Sequence, residues 1–142
     1  MANIKLYLEI KAPAIKVYNA ITEQKGLAGW WTKDTIAKPE VGFVNEFKFG
    51  NEFHNKMKVT KLEPGKLVCW DCVDGDREWI GTNLKYELTE NDEKMELMFT
   101  HENWRGETIF FGNCSFHWAG YMKSLRDYCE KGKGIPNHSG NF

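Results

Sequence analysis

The segment from Glu107 to Lys131 constrains the fold most, because its apolar residues recur every three or four positions over about seven turns. Polar residues occupy the opposite side, and Gly132, Gly134 and Pro136 follow as signals that stop a helix. The spacing therefore predicts one long helix over 107–131, which needs an apolar sheet face to cover its stripe. The stripe consists of Phe111, Cys114, Trp118, Tyr121, Met122, Leu125, Tyr128 and Cys129.

Most of the chain before this helix has the pattern of β-structure. Residues 4–10 alternate apolar and polar side chains, which indicates a half-buried strand. Pro13 and the apolar spacing after it predict a short helix over 13–22, then a second helical piece over 27–31 and a loop over 33–42. Five runs joined by short turns then predict an antiparallel meander: 43–49, 53–62, 66–73, 79–88 and 95–104.

This order of elements predicts an α+β fold in which a curved antiparallel sheet of about six strands surrounds one long C-terminal helix. Two short helices follow the first strand. We expect a single domain over residues 1–136 and a C-terminal tail over residues 137–142. A sheet that curls around one helix cannot fill all the space near the helix ends, so a pocket between helix and sheet is expected.

Composition narrows the class of protein. The formal net charge is −1, so no overall positive charge would attract nucleic acid, and no nucleic-acid partner is predicted. No apolar run reaches the length of a membrane span, and the first residues, MANIKLYLEI, alternate in polarity rather than forming the apolar core of a secretory signal. We therefore expect a cytoplasmic protein, not inserted in a membrane, with four reduced cysteines.

Several stretches, in their order and spacing, resemble one known family. They are IKAPAIKVYNAIT, WWT, EPGKLVCW, WIGTNLKYELTE, LMFTHENW and HWAGYMKSLRDYCEKGKGIP. Together they resemble the START-related helix-grip superfamily, and within it the branch named after the activator of the heat-shock-protein-90 ATPase. The resemblance runs from Ile4 to Pro136.

The resemblance implies a curved sheet that grips the C-terminal helix around a hydrophobic cavity. Members of the superfamily bind lipids, sterols, polyketides or hormones, and some are cyclases or related enzymes. The first hypothesis is therefore binding of a small apolar molecule. An enzyme of the cyclase or hydrolase kind and a co-chaperone-like protein-binding module remain alternatives, and a homodimer is possible.

The Cys-x-x-Cys sequence CWDC, at 69–72, lies inside a predicted strand. Residues three apart in a strand face opposite sides, so neither a disulfide nor a shared metal fits Cys69 and Cys72. His101 shares the apolar side of its strand with Leu97 and Phe99, which allows either a buried structural histidine or a polar group inside the cavity. If the chain were an enzyme, His101 and Tyr86 would be its acid–base pair.

The other three histidines, His54, His117 and His138, fall on unrelated predicted elements, so their spacing predicts no metal site. No Gly-rich phosphate loop or other cofactor motif occurs, and no cofactor is predicted. The best candidates for ligand contact are apolar or inward-facing residues around the expected cavity. They are Trp30, Trp31, Phe47, Met57, Val59, Trp70, Thr82, Leu84, Tyr86, Phe99, His101, Phe111, Trp118 and Met122.

The neighbouring pair Trp30–Trp31 lies where the short helices meet the first loop. Neighbouring side chains diverge in direction, so one tryptophan is expected to fill the core below the short helices. The other is expected to line or gate the cavity mouth, and Trp31 is the favoured candidate for the inward place in the core.

Overall fold

A computed structural model describes residues 1–92 and 94–138, and this part of the chain forms one seven-stranded antiparallel sheet and three helices. Residue 93, in the predicted turn at 90–93, and residues 139–142 of the predicted tail lie outside the described residues. The elements are β1 (Ala2–Ile10), α1 (Ala14–Thr22), α2 (Gln24–Trp30), β2 (Asp34–Ile36), β3 (Val44–Phe49), β4 (Phe53–Glu63), β5 (Leu67–Gly75), β6 (Asn83–Asn91), β7 (Lys94–Trp104) and α3 (Ile109–Lys131).

The strands lie in the order β1-β7-β6-β5-β4-β3-β2, so the last strand, β7, pairs with the first strand, β1. The predicted α+β helix-grip fold is confirmed. The sheet has one strand more than the approximate six, because β2 lies inside the segment that was predicted as a loop. Three residues are too few to show an alternating pattern, and β2 exists through its backbone pairing with β3.

The start of β6 differs most from the sequence-based prediction. The predicted strand began at residue 79, but residues 76–81 form a turn and β6 begins at Asn83. Asp76 holds the turn, since its carbonyl accepts from Trp79 N–H at 2.9 Å and its side chain accepts from Glu78 N–H at 2.8 Å. Gly81, at φ 91°, ends the turn in a backbone region that favours glycine. Trp79 therefore turns inward, where it is buried.

Both ends of α3 have recognisable caps. The Thr108 side chain accepts a hydrogen bond from Phe111 N–H at 3.1 Å, and this N-cap starts the helix two residues later than predicted. Gly132, at φ 81°, ends it in the left-handed region. Between these ends, the buried residues of α3 include Cys114, Trp118, Met122 and Leu125 of the predicted stripe.

The core lies between the inner face of the sheet and the three helices. Alternate residues of the strands supply its largest buried side chains, among them Phe47, Trp70, Tyr86 and Phe99. In the described part of the chain, no helix has the length and apolar content needed to cross a lipid bilayer.

Two glycines of α3 allow a matched test of its C-cap. Apart from adjoining residues and the helix backbone, no atom lies within 4 Å of a Cβ added at Gly132 or Gly112, so backbone conformation decides the effect of alanine. We expect Gly132→Ala to lower the free energy of unfolding by about 1 kcal/mol, because alanine resists a positive φ. Gly112→Ala, inside the helix, is expected to raise it by about 0.5–1 kcal/mol. Urea denaturation measures both, and equal signs would contradict the assignment of the helix end.

Candidate functional site

A pocket of about 830 Å³ opens between the sheet and the first half of α3. Most of its lining comes from three segments: the turn from β3 to β4 with the adjoining strand ends, the turn that carries Trp79, and the face of α3 that begins at Phe110. Trp31, after α2, and Asn137 complete it. The lining residues are Trp31, Phe49, Gly50, Asn51, Glu52, Phe53, Trp79, Phe110, Asn113, Cys114, His117, Trp118, Tyr121 and Asn137.

Aromatic rings form the floor of the pocket. The ring of Trp118 stacks between two other tryptophans, with its centroid 5.1 Å from Trp31 and 6.0 Å from Trp79. The interplanar angles are 30° to Trp31 and 19° to Trp79. Phe53 adds an edge-on contact to Trp79 at 5.1 Å. These packed rings give the pocket an apolar floor.

Trp30 and Trp31 occupy different places although they are neighbours. Trp30 Nε1 donates to the Ala20 carbonyl at 2.8 Å, which fixes this ring between α1 and α2. The two helices approach closely, because a Cβ at Gly26 would lie 2.6 Å from Ala20 backbone atoms. Trp31 instead lines the pocket and packs on Phe47 at a centroid distance of 4.4 Å. One ring thus fills the core and the other forms part of the floor, but the assignment is the reverse of the favoured one: Trp30 is the inward ring, because its N–H reaches the backbone of α1.

A chain of buried hydrogen bonds lies behind the floor and includes His101. Trp118 Nε1 donates to His101 Nδ1 at 3.1 Å, and His101 Nε2 lies 2.8 Å from Thr82 Oγ1. Because Nδ1 accepts, the proton of a neutral imidazole resides on Nε2, which donates to Thr82. Thr82 Oγ1 in turn donates to the Trp79 carbonyl at 2.5 Å. Burial lowers the pKa of His101 to about 3, so the ring is neutral near pH 7.

The geometry does not join His101 and Tyr86 into an acid–base pair. Both imidazole nitrogens of His101 already have partners. Tyr86 is fully buried, its hydroxyl has no hydrogen-bond partner in the described part of the chain, and burial raises its pKa. Neither residue lines the pocket. His101 therefore has the features of the structural alternative that the sequence left open.

The rim of the pocket is polar. Asn113 and His117 project from α3 one turn apart, and Asn51 and Glu52 lie across from them in the turn from β3 to β4. Asn137 completes the rim.

Hydrogen bonds join the segment that carries Asn137 to the loop after α2. Asn137 N–H donates to the Trp31 carbonyl at 2.9 Å, and its Nδ2 donates to Thr32 Oγ1 at 2.8 Å. The neighbouring His138 is buried, and its ring stacks on His117 at 5.7 Å and lies 3.7 Å from that of Tyr121. Asn137, which the sequence placed in the tail, thus forms part of one pocket wall, and His138 packs behind the lining residues His117 and Tyr121.

Of the fourteen predicted contact residues, Trp31 and Trp118 line the pocket. Phe111 is half-buried beside the ring of Trp104, at a centroid distance of 5.1 Å. The remaining eleven are buried in the core away from the lining: Trp30, Phe47, Met57, Val59, Trp70, Thr82, Leu84, Tyr86, Phe99, His101 and Met122.

Sequence reasoning missed most of the aromatic lining. Phe49 and Phe53 carried a usable signal, because each continues the inward alternation of its strand at the end next to a turn. Phe110 lies one position before the first residue of the predicted stripe. Trp79 gave no signal, because the alternation of the predicted strand placed it on the face opposite Thr82 and Leu84.

The cysteines and the other histidines build no second site. Cys69 and Cys72 point to opposite faces of β5, as predicted, and all four cysteines are free. Burial raises the pKa of Cys72 to about 12, which makes it a poor nucleophile. His54 is exposed beside Asp74. Within residues 1–92 and 94–138, no three His, Cys, Asp or Glu side chains are grouped to hold a metal ion.

Comparison with known proteins gives one family match. The family described as activator of Hsp90 ATPase homolog 1-like protein matches residues 11–130. A search of curated proteins finds no match.

Solved structures support the same relationship. The chain is 38% identical to a protein whose structure is described as the Aha1 dimer from Colwellia psychrerythraea, with a TM-score of 0.86. That alignment covers 94% of this chain and all of the other. Proteins from Mesorhizobium loti and Bacillus halodurans share the fold at 18% and 22% identity, with TM-scores of 0.78 and 0.74. Those alignments cover 89% and 92% of this chain, and 95% and 98% of theirs.

The buried imidazole makes the stability of the fold depend on pH. The pKa of His101 is about 3 in the folded chain and near its ordinary value of 6.5 when unfolded, so unfolding takes up a proton below pH 6.5. We expect the free energy of unfolding to fall by roughly 1 kcal/mol per pH unit between pH 6 and pH 4. His101→Gln is expected to remove this contribution, because glutamine does not titrate.

The measurement is urea denaturation at several pH values for the wild type and the variant. His54→Gln is the matched control, since it makes the same substitution at an exposed histidine outside the core. Identical slopes for wild type and His101→Gln would show that this ring does not stay neutral in the folded chain.

Proposed function

The chain belongs to the family of activator of Hsp90 ATPase homolog 1-like proteins, and from that premise we propose that it binds a small, flat apolar molecule between the sheet and α3. The aromatic lining carries the proposal: the packed rings of Trp31, Trp79 and Trp118 form the floor of a pocket of about 830 Å³. The half-buried rings of Phe49, Phe53 and Phe110 line it as well. This volume lies in the range of small-molecule sites, roughly 300–1,000 Å³.

The lining also defines the shape and polarity of the ligand. The floor offers contacts to a ring system, while the amides of Asn113 and Asn137 and the imidazole of His117 lie at the rim. We therefore propose a ring-shaped ligand with an apolar body and a polar group at its outer end. One domain over residues 1–136 carries the function, and Asn137 contributes to the rim from the segment that follows.

A protein-binding role is the second candidate, and one feature of α3 favours it. Ile109 is 94% exposed and Phe116 is 58% exposed, and they lie seven residues apart on the same helix face. Exposed large apolar side chains on one face are typical of interaction surfaces. The test measures the ATPase rate of an Hsp90 chaperone with and without this protein. A change in that rate that is lost with the double variant Ile109→Ser/Phe116→Ser would support the role. If the wild-type protein leaves the rate unchanged, the role is excluded.

A homodimer in the cytoplasm is the assembly we propose. The dimeric state of the similar Colwellia protein supports the dimer, and the four free cysteines are consistent with a reducing compartment. Sedimentation of the purified chain tests the assembly independently of ligand binding.

Ligand binding is tested first without assuming a ligand. Native mass spectrometry of the gently purified protein is expected to show a co-purified small molecule, and thermal unfolding in the presence of ring-shaped apolar compounds is expected to shift upward. The proposal fails if no mass is added and no compound in such a set raises the unfolding temperature.

Two phenylalanines of α3 provide a matched test of where the ligand binds. Phe110 lines the pocket, whereas Phe116 lies outside it on the same helix. We expect Phe110→Ala to weaken binding of the fluorescent probe 1-anilinonaphthalene-8-sulfonate by about tenfold, because part of an aromatic contact is lost. Phe116→Ala is expected to leave the affinity unchanged. Fluorescence titration measures both, and equal affinities of the two variants would place the probe elsewhere.

A further inference from the structure

We propose that two copies of this chain join through the free edge of β1, with Tyr7 on the two-fold axis. The two seven-stranded sheets then continue into one another across an antiparallel β1–β1 pair. This inference rests on the homodimer proposed above and names its interface.

The edge of β1 is long and open. In the described part of the chain, β1 pairs with β7 on one side only, and it runs over nine residues without a proline. Its single register irregularity lies between Ala2 and Ile4, so the backbone from Ile4 to Ile10 pairs regularly. Proteins usually protect a sheet edge by making it short, as in the three-residue β2 at the other end. The unused backbone groups of β1 can form a ladder with a second strand.

One register of this ladder matches opposite charges. When Tyr7 faces Tyr7 of the second copy, Lys5 faces Glu9 and Glu9 faces Lys5, which gives two ion pairs across the axis. A shift of two residues keeps the faces of the strand but loses these pairs, since Lys5 then faces either Lys11 or Tyr7. Opposite charges across a strand pair stabilise it and like charges destabilise it. The charges on the edge therefore select the register centred on Tyr7.

Both charged groups are available for such contacts. Lys5 is exposed, and no ion pair of Lys5 occurs within residues 1–92 and 94–138. Glu9 is exposed and receives Lys94 Nζ at 2.6 Å and the Tyr7 hydroxyl at 3.4 Å, both on Oε2. The other carboxylate oxygen, Oε1, remains accessible to a lysine of a second copy.

The apolar residues of β1 fit the same register. On the inner face, Leu6 and Leu8 are only half-buried. In this register Leu6 lies opposite Leu8 of the second copy, and Leu8 lies opposite its Leu6. On the outer face, Tyr7 is 54% exposed and meets its own symmetry mate, which forms an aromatic cross-strand pair. Pairing thus covers apolar surface on both faces of the edge.

A charge exchange tests this interface. In a dimer of Lys5→Glu, both Lys5–Glu9 contacts become pairs of negative charges, and in a dimer of Glu9→Lys they become pairs of positive charges. Each variant alone is therefore expected to dimerise at least about tenfold more weakly than the wild type. An equal mixture of the two variants restores opposite charges at both contacts, and we expect it to form a heterodimer close to wild-type affinity. Analytical ultracentrifugation measures the dissociation constants, and circular dichroism confirms that each variant folds.

A cross-link gives a second measurement that does not depend on charge. Tyr7→Cys brings two cysteines together at the axis and is expected to form an intermolecular disulfide under mild oxidation. Val73→Cys, an exposed position on β5, is the matched control and is expected to stay uncross-linked.

The possible outcomes separate the proposals. A wild-type dimer whose affinity neither charge variant changes would overturn the β1 interface and leave the homodimer in place, with Ile109 and Phe116 as the next surface to test. A monomeric wild type would overturn both the homodimer and its interface. Neither result bears on ligand binding, which the probe titration measures separately.

Discussion

The hydrogen bond from Trp118 to His101 is the contact on which the shape of the pocket depends. It joins the middle of α3 to β7. His101 in turn bonds Thr82, and Thr82 bonds the carbonyl of Trp79. Two of the three floor tryptophans are therefore held at fixed places by one buried polar chain. An apolar residue at position 101 could fill the same volume but could neither accept from the Trp118 indole nor bond Thr82. The neutrality of His101 is part of this arrangement, since a proton on Nδ1 would remove the acceptor that Trp118 uses.

The same chain explains why the pocket has an apolar floor and a polar rim. A buried indole N–H needs a partner: His101 provides one for Trp118, and Cys114, which itself lines the pocket, provides one for Trp79. With these N–H groups satisfied, the two rings contribute apolar rather than polar atoms to the floor. The polar side chains that line the pocket are at its rim: Asn113 and His117 on α3, Asn51 and Glu52 in the turn from β3 to β4, and Asn137.

The fold was predictable because its signals are local and periodic. The α3 stripe, the alternation in β1 and the turns of the meander each fix an element without knowledge of the rest. The site was much less predictable, since inward alternation identifies Phe47, Trp70 and Leu84 as buried but cannot say which buried residues border empty space. The pocket lies where alternation ends: Phe49, Phe53 and Phe110 are at the ends of elements, and Trp79 is in a turn. The position of a cavity depends on how far the elements extend past one another, which is a long-range property of the packing.

The pocket and the β1 edge lie on different parts of the sheet, and this separation has a functional consequence. The lining comes from β3, β4, the turn before β6, the residue after α2, the first half of α3 and Asn137, with no contribution from β1. In the sheet order, four strands lie between β1 and β3 (β7, β6, β5 and β4). Pairing through β1 therefore leaves both pockets open and adds no residue to either one. A dimer built this way binds two ligands at equivalent sites, and any coupling between them would have to pass through the sheet. The strand that joins the edge to the pocket floor is β7, which pairs with β1 and carries His101. If occupancy of one pocket affects the other, the buried hydrogen-bond chain from β7 to Trp118 is the physical route by which it does so.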